Sequence, residues 1–241
     1  MADRVALQPA YILHRRSYGE TSLLVEAFTA EFGRVGLLAK GAKRGRLQVV
    51  LQPFQPVLLS WGGRGELRTL TGAEAQGRVP VLTGRTLFSG FYLNELLLKL
   101  LQREDPHPEL FARYGESLAQ LAADEEWALR LFERDLLREL GYGLSLEHDE
   151  SGAPLEPDAL YAYEAERGAV PTAPGGRGEV ILRGRSLLAL AEGGAPDEGA
   201  RRETKRLLRA MLAIHLNGRV LESRALYRSA LGQATNDEEE K

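Results

Sequence analysis

The sequence predicts an α+β protein in which a small antiparallel β-barrel is followed by a helical domain. Five short, β-rich runs separated by turns occupy the first eighty residues. Near Pro80 the apolar pattern changes to a helical period, which most of the later segments keep. With 241 residues, of which 44% are apolar, the chain is long enough to bury a core in each part.

The five predicted strands follow one another with short connections. They cover residues 10–17, 22–29, 34–40, 54–61 and 66–75. Glycine-containing turns separate them, such as YGET at 18–21 and AEFG at 30–33. Five antiparallel strands within about 80 residues fit a small closed barrel, and the OB-fold is the version of that barrel that binds nucleic acids. We therefore predict an OB-fold domain at residues 1–80.

The rest of the chain, 81–235, is predicted to form the helical domain. Helices are expected at residues 85–105, 108–123, 124–143, 185–193, 197–216 and 221–231. Asp124 is the expected N-cap of the third helix, and Gly141 is its expected stop. Residues 142–185 are rich in glycine, proline and acids and hold two strand-like pieces, which predicts a small irregular β insertion. Residues 236–241, NDEEEK, form an acidic tail that should be frayed.

The composition excludes several kinds of chemistry. The chain has no cysteine, so it has no disulfide, thiolate zinc site or cysteine nucleophile. Its four histidines are far apart, and it contains neither a P-loop nor a G-x-S-x-G elbow. The run EHDE at 147–150 is better interpreted as a solvated loop than as a cation site, because metal sites need converging ligands. We expect no cofactor, no metal and no catalytic site.

The sequence also bears on location. No run approaches the ~18 apolar residues of a membrane span. The N-terminus lacks the uninterrupted apolar region of a secretory signal. The expectation is a soluble, cytoplasmic protein with no membrane partner.

Charge is distributed unevenly along the chain. Residues 1–85 hold 12 lysines and arginines against 6 acids, a balance of +6. Residues 86–241 hold 19 against 28, a balance of -9, and the two balances give the net charge of -3. Such asymmetry indicates that the N-terminal part meets a polyanion.

Much of this positive charge lies in one connection between predicted strands, which we call the basic loop (residues 40–46). Its cations are Lys40, Lys43, Arg44 and Arg46, with two glycines between them and no acid. Glycine allows the backbone to approach a phosphate chain closely, and loops of small barrels are where this architecture holds its ligands. Binding to a polyanion is the favoured interpretation, although cations in a surface loop are often only solvated.

Other residues of the predicted barrel could extend this surface. Arg64 and Arg68, near the turn after the fourth strand, could add positive charge. Candidate aromatic platforms for nucleobases are Tyr18, Phe32 and Trp61. For Trp61, at the end of an apolar strand, a core position is favoured.

Two clusters in the predicted helices add to the candidates. At helical spacing, one face of the segment 197–216 carries Arg202, Lys205, Arg206 and Arg209. A polyanion contact and a solvated amphipathic face are equally good interpretations of this cluster. The third helix carries Arg130, Arg134 and Arg138 four residues apart, beside Trp127. This row suits an acidic peptide with a hydrophobic end, whereas a surface ion pair between Glu126 and Arg130 is the plainer account.

Long ordered blocks of the sequence resemble one known family. The blocks are YGETSLLVEAFTAEFGRVGLLAKGAK, LQPFQPVLLSWGGRGELRTLTGAEA, LFSGFYLNELLLKLL and ALRLFERDLLRELGYG. They resemble the RecO DNA-repair proteins of the proteobacterial type over residues 10–143, and the likeness weakens to KRLLRAML and SRALYR near the C-terminus.

The resemblance implies a specific function. It implies an OB-fold followed by a helical domain, in a non-enzymatic recombination mediator that binds single- and double-stranded DNA and anneals complementary strands. With RecR, such a protein helps RecA replace the single-stranded-DNA-binding protein SSB, which implies association with the nucleoid. The resemblance also implies that DNA contacts the basic loop, and that the tail of SSB docks near Arg130, with Trp127 and Arg134 beside it. Some members carry a four-cysteine zinc module, which this cysteine-free chain cannot form.

Two other functions stay open on the residues alone. One is a generic OB-fold RNA-binding or translation-associated module with a helical protein-interaction domain. The other is an enzyme acting on nucleic acid, which is disfavoured because two-metal chemistry needs carboxylates that cannot be placed beside the basic loop.

Overall fold

A computed structural model describes residues 4–176, 178, 180–223 and 225–227. The acidic tail and the end of the last predicted helix lie outside these residues. The chain forms two compact units, Met1–Ala122 with Leu221–Lys241, and Ala123–Val220. The compact units therefore divide after residue 122, whereas the sequence pattern places its boundary at residue 80, where strands give way to helices.

The first unit contains a closed five-stranded barrel, so the predicted α+β architecture is confirmed. Its strands and one short helix are β1 (Arg4–Tyr18), β2 (Ser22–Thr29), β3 (Gly33–Ala39), α1 (Arg46–Val50), β4 (Pro56–Gly62) and β5 (Leu67–Ala75). The strand order around the barrel is β1-β2-β3-β5-β4. Strands β3 and β5 pair in parallel, and every other pair in this barrel is antiparallel.

Strand β1 is longer than the sequence pattern predicts. Its first part, from Arg4 to Tyr11, pairs with β4, and its second part, from Ala10 to Tyr18, pairs with β2. The pattern failed in the first part because the strand is irregular there: Leu7 has a φ of 52° and the register with β4 shifts between Val5 and Gln8. Serving two neighbours, β1 closes the barrel.

Inward-facing side chains fill the barrel. Ile12, Leu37, Leu59 and Trp61 are fully buried, so the core position predicted for Trp61 is confirmed. Alternation along β4, with Val57, Leu59 and Trp61 inside, is the pattern of a strand that has one face in a core.

The first unit also contains the helices α2 (Gly84–Leu100) and α3 (Pro108–Gln120). The Asn94 amide of α2 donates a hydrogen bond to the carbonyl of Leu13 in β1 at 2.7 Å, and it accepts one from Tyr114 of α3. These bonds satisfy buried polar groups and hold both helices on the barrel.

The second unit combines helices with a small sheet. Its elements are α4 (Glu125–Glu139), β6 (Leu160–Glu164), β7 (Gly168–Thr172), β8 (Val180–Arg183), α5 (Gly184–Glu192) and α6 (Glu198–Leu216). The three strands are antiparallel in the order β7-β6-β8. Asp124 caps α4 by accepting a hydrogen bond from the N–H of Trp127 at 3.1 Å. The predicted stop residue Gly141 has a φ of 82°, the conformation of a helix C-terminus.

The cysteine-free insertion is ordered by polar contacts. One oxygen of Asp149 accepts hydrogen bonds from the N–H and hydroxyl of Ser151 and from the N–H of Ala153. Arg167 bonds to the carboxylates of Glu150 and Glu164. Among the described residues, no group of three or more side chains could hold a metal ion, and no helix has the length and apolarity to cross a membrane.

Candidate nucleic-acid interface

The basic loop is fixed against the hairpin turn between β1 and β2. The N–H of Lys43 donates a hydrogen bond to the carbonyl of Thr21 at 3.0 Å, and its Nζ donates one to the carbonyl of Gly19 at 2.6 Å. Gly41 and Gly45, on either side, have φ of 69° and 71°, which L-residues rarely adopt. The sequence therefore builds a turned, tethered loop, and Lys43 is both a cation and a tether.

The cations of this loop share one end of the barrel with two arginines of β1. Lys40, Arg44 and Arg46 are exposed, and so is Arg16. The strand register places Arg16 beside Leu24 and Leu24 beside Leu38, two residues before Lys40. Arg15 donates a hydrogen bond to the carbonyl of Gln48 in α1 at 2.9 Å. We call this group the rim surface; its members are Arg15, Arg16, Lys40, Lys43, Arg44 and Arg46.

Arg15 and Arg16 were missed as site residues in the sequence analysis. The signal was present, because two adjacent arginines interrupt a predicted strand. Strand alternation alone assigns one of them to each face, so that only the closed barrel places both near the basic loop. One acid, Glu20, is exposed in the adjoining β1–β2 turn, and the balance of the rim surface stays strongly positive.

The structure places Arg64 away from the rim surface, whereas Arg68 lies nearer, since it pairs with Leu37, three residues before Lys40. The basic loop leads through α1 to the start of β4, whereas Arg64 lies after the end of β4. Seven extended residues separate the two ends, about 20 Å at the usual rise per residue. Arg68 also bonds to Glu104 at 2.7 Å, which compensates its charge. The expectation that Arg64 extends the surface of the basic loop is therefore corrected, and the same expectation for Arg68 stays a prediction.

Of the three candidate aromatic platforms, only Tyr18 is well exposed. Its side chain is 53% accessible at the end of β1, next to Gly19. Trp61 is fully buried, and Phe32 packs edge-on against it with ring centres 5.3 Å apart. Trp61 therefore belongs to the core and is closed to a nucleobase, and Phe32 is partly buried against it.

The cluster on α6 divides into exposed and paired cations. Arg202, Arg206 and Arg209 are exposed on one face of the helix, and we call them the α6 ridge. Lys205 instead forms an ion pair with Glu126. Arg201 binds both oxygens of Asp124, at 2.8 and 2.7 Å, and this contact lowers the pKa of Asp124.

The arginines predicted to dock a peptide on α4 are mostly internal. Arg130 is 4% exposed and donates a hydrogen bond to Glu133 at 2.6 Å, and its charge also contributes to lowering the pKa of Glu126, so the interactions of Arg130 are internal and not on the helix surface. Trp127 is also buried. Arg134 donates to Asp135 at 2.8 Å and to the carbonyl of Leu190 at 2.6 Å. The fold therefore holds Arg130 and Trp127 inside and leaves Arg134 partly exposed, and their role in docking a peptide stays a prediction.

Known proteins match both parts of the chain. A family model described as "Recombination protein O N terminal" matches residues 1–77, and one described as "Recombination protein O C terminal" matches residues 82–225. The chain belongs to the RecO family of DNA repair proteins. The closed barrel is thus the OB-fold of a RecO N-terminal domain, and the helices belong to its C-terminal domain.

Several RecO relatives are similar over almost their whole length. The DNA repair protein RecO of Nitrosococcus oceani is 52% identical over 98% of this chain and 99% of its own. The RecO protein of Alkalilimnicola ehrlichii is 51% identical over 94% of this chain and 92% of its own. That of Methylococcus capsulatus is 51% identical over 95% of each chain.

Proposed function

We propose that this protein is a non-enzymatic, DNA-binding recombination mediator that anneals complementary strands during DNA repair. Membership of the RecO family supports the role in repair. The single structural observation that carries the DNA-binding part is the rim surface, where cations from a strand and a tethered loop meet at one end of the OB-fold. Acting on the chromosome implies residence at the nucleoid.

The rim surface suits the phosphate backbone and has little capacity to read bases. Its exposed members are arginines and lysines, which contact phosphate oxygens without regard to sequence. Each contact releases counterions, so affinity should fall steeply with salt. Single- and double-stranded DNA are both candidate ligands, because both present phosphates.

The α6 ridge is the second proposed DNA contact. Its three arginines lie on the exposed side of α6. The other side of this helix carries the buried residues Leu207, Leu208 and Met211. Positive charge that is not needed for packing is available for a polyanion.

The further partners in this proposal are RecR, RecA indirectly, and the C-terminal tail of SSB. With RecR, the protein would help RecA to load onto SSB-coated single strands. Because Arg130, Trp127 and Arg134 are largely buried, we propose that they shape helix α4 for tail docking and do not contact the tail themselves.

An RNA-binding module with a helical interaction domain is the alternative, since the same cations would contact RNA phosphates. The experiment measures annealing of two complementary, SSB-coated DNA oligonucleotides with the wild type and with the variant Lys40→Gln/Arg44→Gln/Arg46→Gln. The wild type should accelerate annealing and the variant should not. A wild type that leaves the annealing rate unchanged would overturn the proposal.

Binding measured at several salt concentrations tests the rim surface itself. Loss of three phosphate contacts should reduce the slope of log K against log salt by about 2 for single strands. The loss of affinity should be equal for every DNA sequence tested, because phosphate contacts do not specify bases. Arg64→Gln, which removes a cation at the other end of β4, serves as the control and should change the slope less.

A further inference from the structure

One aromatic side chain stands out at the rim surface. Tyr18 ends β1, pairs with Ser22 across the hairpin, and leaves 53% of its side chain accessible. The backbone beside it is held in place, because the carbonyl oxygens of Gly19 and Thr21 both accept hydrogen bonds from Lys43. The ring is therefore presented from a tethered turn, next to the cations of the basic loop.

Among the residues that the structure describes, no aromatic ring packs against Tyr18. One other aromatic residue is exposed in the described part of the first unit, Phe91 of helix α2. Its ring packs against Phe54, with the ring centres 5.0 Å apart. Phe32 and Trp61 are engaged with each other. Tyr18 alone, among the aromatic residues that the structure describes at this end of the barrel, has an open face.

A cationic surface with an aromatic ring in it distinguishes single strands from duplex. Phosphates are present in both, but the faces of bases are open only where the strand is unpaired. We infer that Tyr18 stacks on an unpaired nucleobase while the neighbouring cations bind the phosphates, which gives the rim surface a preference for single-stranded DNA. This inference rests on the proposed DNA-binding function. Because the turn is already held, little conformational freedom is lost on binding.

The test compares three DNA probes of equal length: a thymidine oligonucleotide, the same backbone with abasic sites, and a duplex. Tyr18→Ala should weaken binding to the thymidine oligonucleotide by about 5- to 150-fold. Binding to the abasic strand and the duplex should stay within roughly twofold of the wild type, because their contacts are phosphate contacts. Tyr18→Phe keeps the ring and should keep the affinity. Tyr142→Ala, at a tyrosine 52% exposed in the second unit, is the matched control and should change none of the three.

The outcomes separate this inference from the proposed function. An equal loss on the thymidine and abasic strands would mean that Tyr18 acts through the fold, and no loss on any probe would remove it from the interface. Either result overturns the inference. If Lys40→Gln/Arg44→Gln/Arg46→Gln weakens all three probes while Tyr18→Ala weakens none, the proposed function stands without the stacking. If that triple variant weakens none, the rim surface is not a DNA contact and the stacking falls with it, while the annealing experiment still tests the proposed function.

Discussion

The Nζ of Lys43 lies 2.6 Å from the carbonyl oxygen of Gly19, so that a side chain of the basic loop holds the turn of the first hairpin. Its backbone N–H bonds to Thr21 in the same turn. Lys43 thereby differs from its neighbour Arg44, which is exposed. A lysine that is tethered in this way contributes to the shape of the rim surface as well as to its charge.

Lys43→Gln and Arg44→Gln should separate these two contributions. Each change removes one cation and should lower the salt slope for single strands by up to about 0.7. Only Lys43→Gln also removes a hydrogen bond within the fold, at a cost of about 1 kcal/mol of unfolding free energy. Salt-dependent binding and thermal melting of both variants check this. Equal melting temperatures would show that the tether does not matter for stability.

Replacing the three arginines of the α6 ridge should reduce DNA affinity without reducing the stability of the fold. Arg202→Gln/Arg206→Gln/Arg209→Gln should reduce binding and the salt slope, because these side chains are exposed. The control is Arg201→Gln on the same helix, which breaks the pair with Asp124. This variant should have a lower melting temperature, and its DNA affinity should change little. Equal DNA affinity in the ridge variant and the wild type would show that these arginines are only solvated and do not contact DNA.

Asp124 links stability to pH through two partners. It caps α4 and binds Arg201, and these contacts lower its pKa below the ordinary value of 3.8. A lowered folded-state pKa means that the stabilisation is complete above the unfolded value and is lost as pH falls through the folded one. Asp124→Ala should lower the unfolding free energy by about 1–2 kcal/mol at pH 7, from the lost cap and a partly exposed ion pair.

Urea unfolding at pH 7 and at pH 3 measures this linkage. The gap between the wild type and Asp124→Ala should shrink at the lower pH, because pH 3 lies below the ordinary pKa of an aspartate and the stabilisation from the charge is lost as pH falls further. Asp124→Asn keeps an oxygen for the cap and should lose less than Asp124→Ala. If the difference in unfolding free energy is the same at both pH values, the charge of Asp124 does not contribute to stability.

The pair of Arg130 and Glu133 should be expensive to break. Both side chains are buried, at 4% and 0% exposure. Arg130→Ala leaves Glu133 without its 2.6 Å partner and should cost about 3–5 kcal/mol. Arg130→Met/Glu133→Leu removes both charges and should lose less than the single variant. Glu126→Gln, at a partly exposed pair with Lys205, is the control and should cost under about 1 kcal/mol.

Chemical denaturation decides the role of Arg130, and titration with an SSB tail peptide completes the comparison. If Arg130 is structural, peptide affinity should return in the Met/Leu double variant, which restores the packing. Loss of peptide binding in that folded double variant would instead place Arg130 in direct contact with the tail.

Replacing Gly33 by alanine should destabilise the fold, because both the backbone conformation and the space at this position suit only glycine. Its φ is 61°, and a Cβ there would lie 2.0 Å from the carbonyl oxygen of Asp105. Gly19 has a similar φ of 56° with open space around it. Gly19→Ala should therefore cost the conformational penalty alone, about 1–2 kcal/mol, and Gly33→Ala should cost clearly more. Equal losses in thermal or urea unfolding would show that Asp105 moves aside without penalty.

Local patterns in the sequence predicted much of the fold. Strand β2 occupies 22–29, as predicted, and Asp124 caps α4, because alternation and capping are properties of neighbouring residues. Helix α1 was missed, since its five residues lie in a connection and carry no full helical period. The first part of β1 was missed because its irregular backbone is supported by a strand some fifty residues away, through pairs such as Arg4 with Gly62.

The residues of the candidate site also divide into those that local patterns identify and those that only the fold brings together. Spacing alone identified the cations at 40–46, because they are adjacent in the chain. Arg16 joins them, and Arg64 leaves them, only through strand pairing. The burial of Arg130 escaped prediction because α4 is covered on nearly all sides, so that the position of a residue on the helix does not reveal its exposure.

The double pairing of β1 has a consequence for the order of folding. Strands β1, β2 and β3 form a meander of near neighbours, which can pair early, whereas closure through β4 brings together residues of β1 and β4 that are 45 to 58 positions apart. The basic loop connects the early part to the late part. Its final conformation therefore depends on the slowest contacts of the domain, and a nascent chain released before residue 62 would carry the cations of the loop without the barrel that arranges them. Pulsed hydrogen exchange should find β2 and β3 protected before β4.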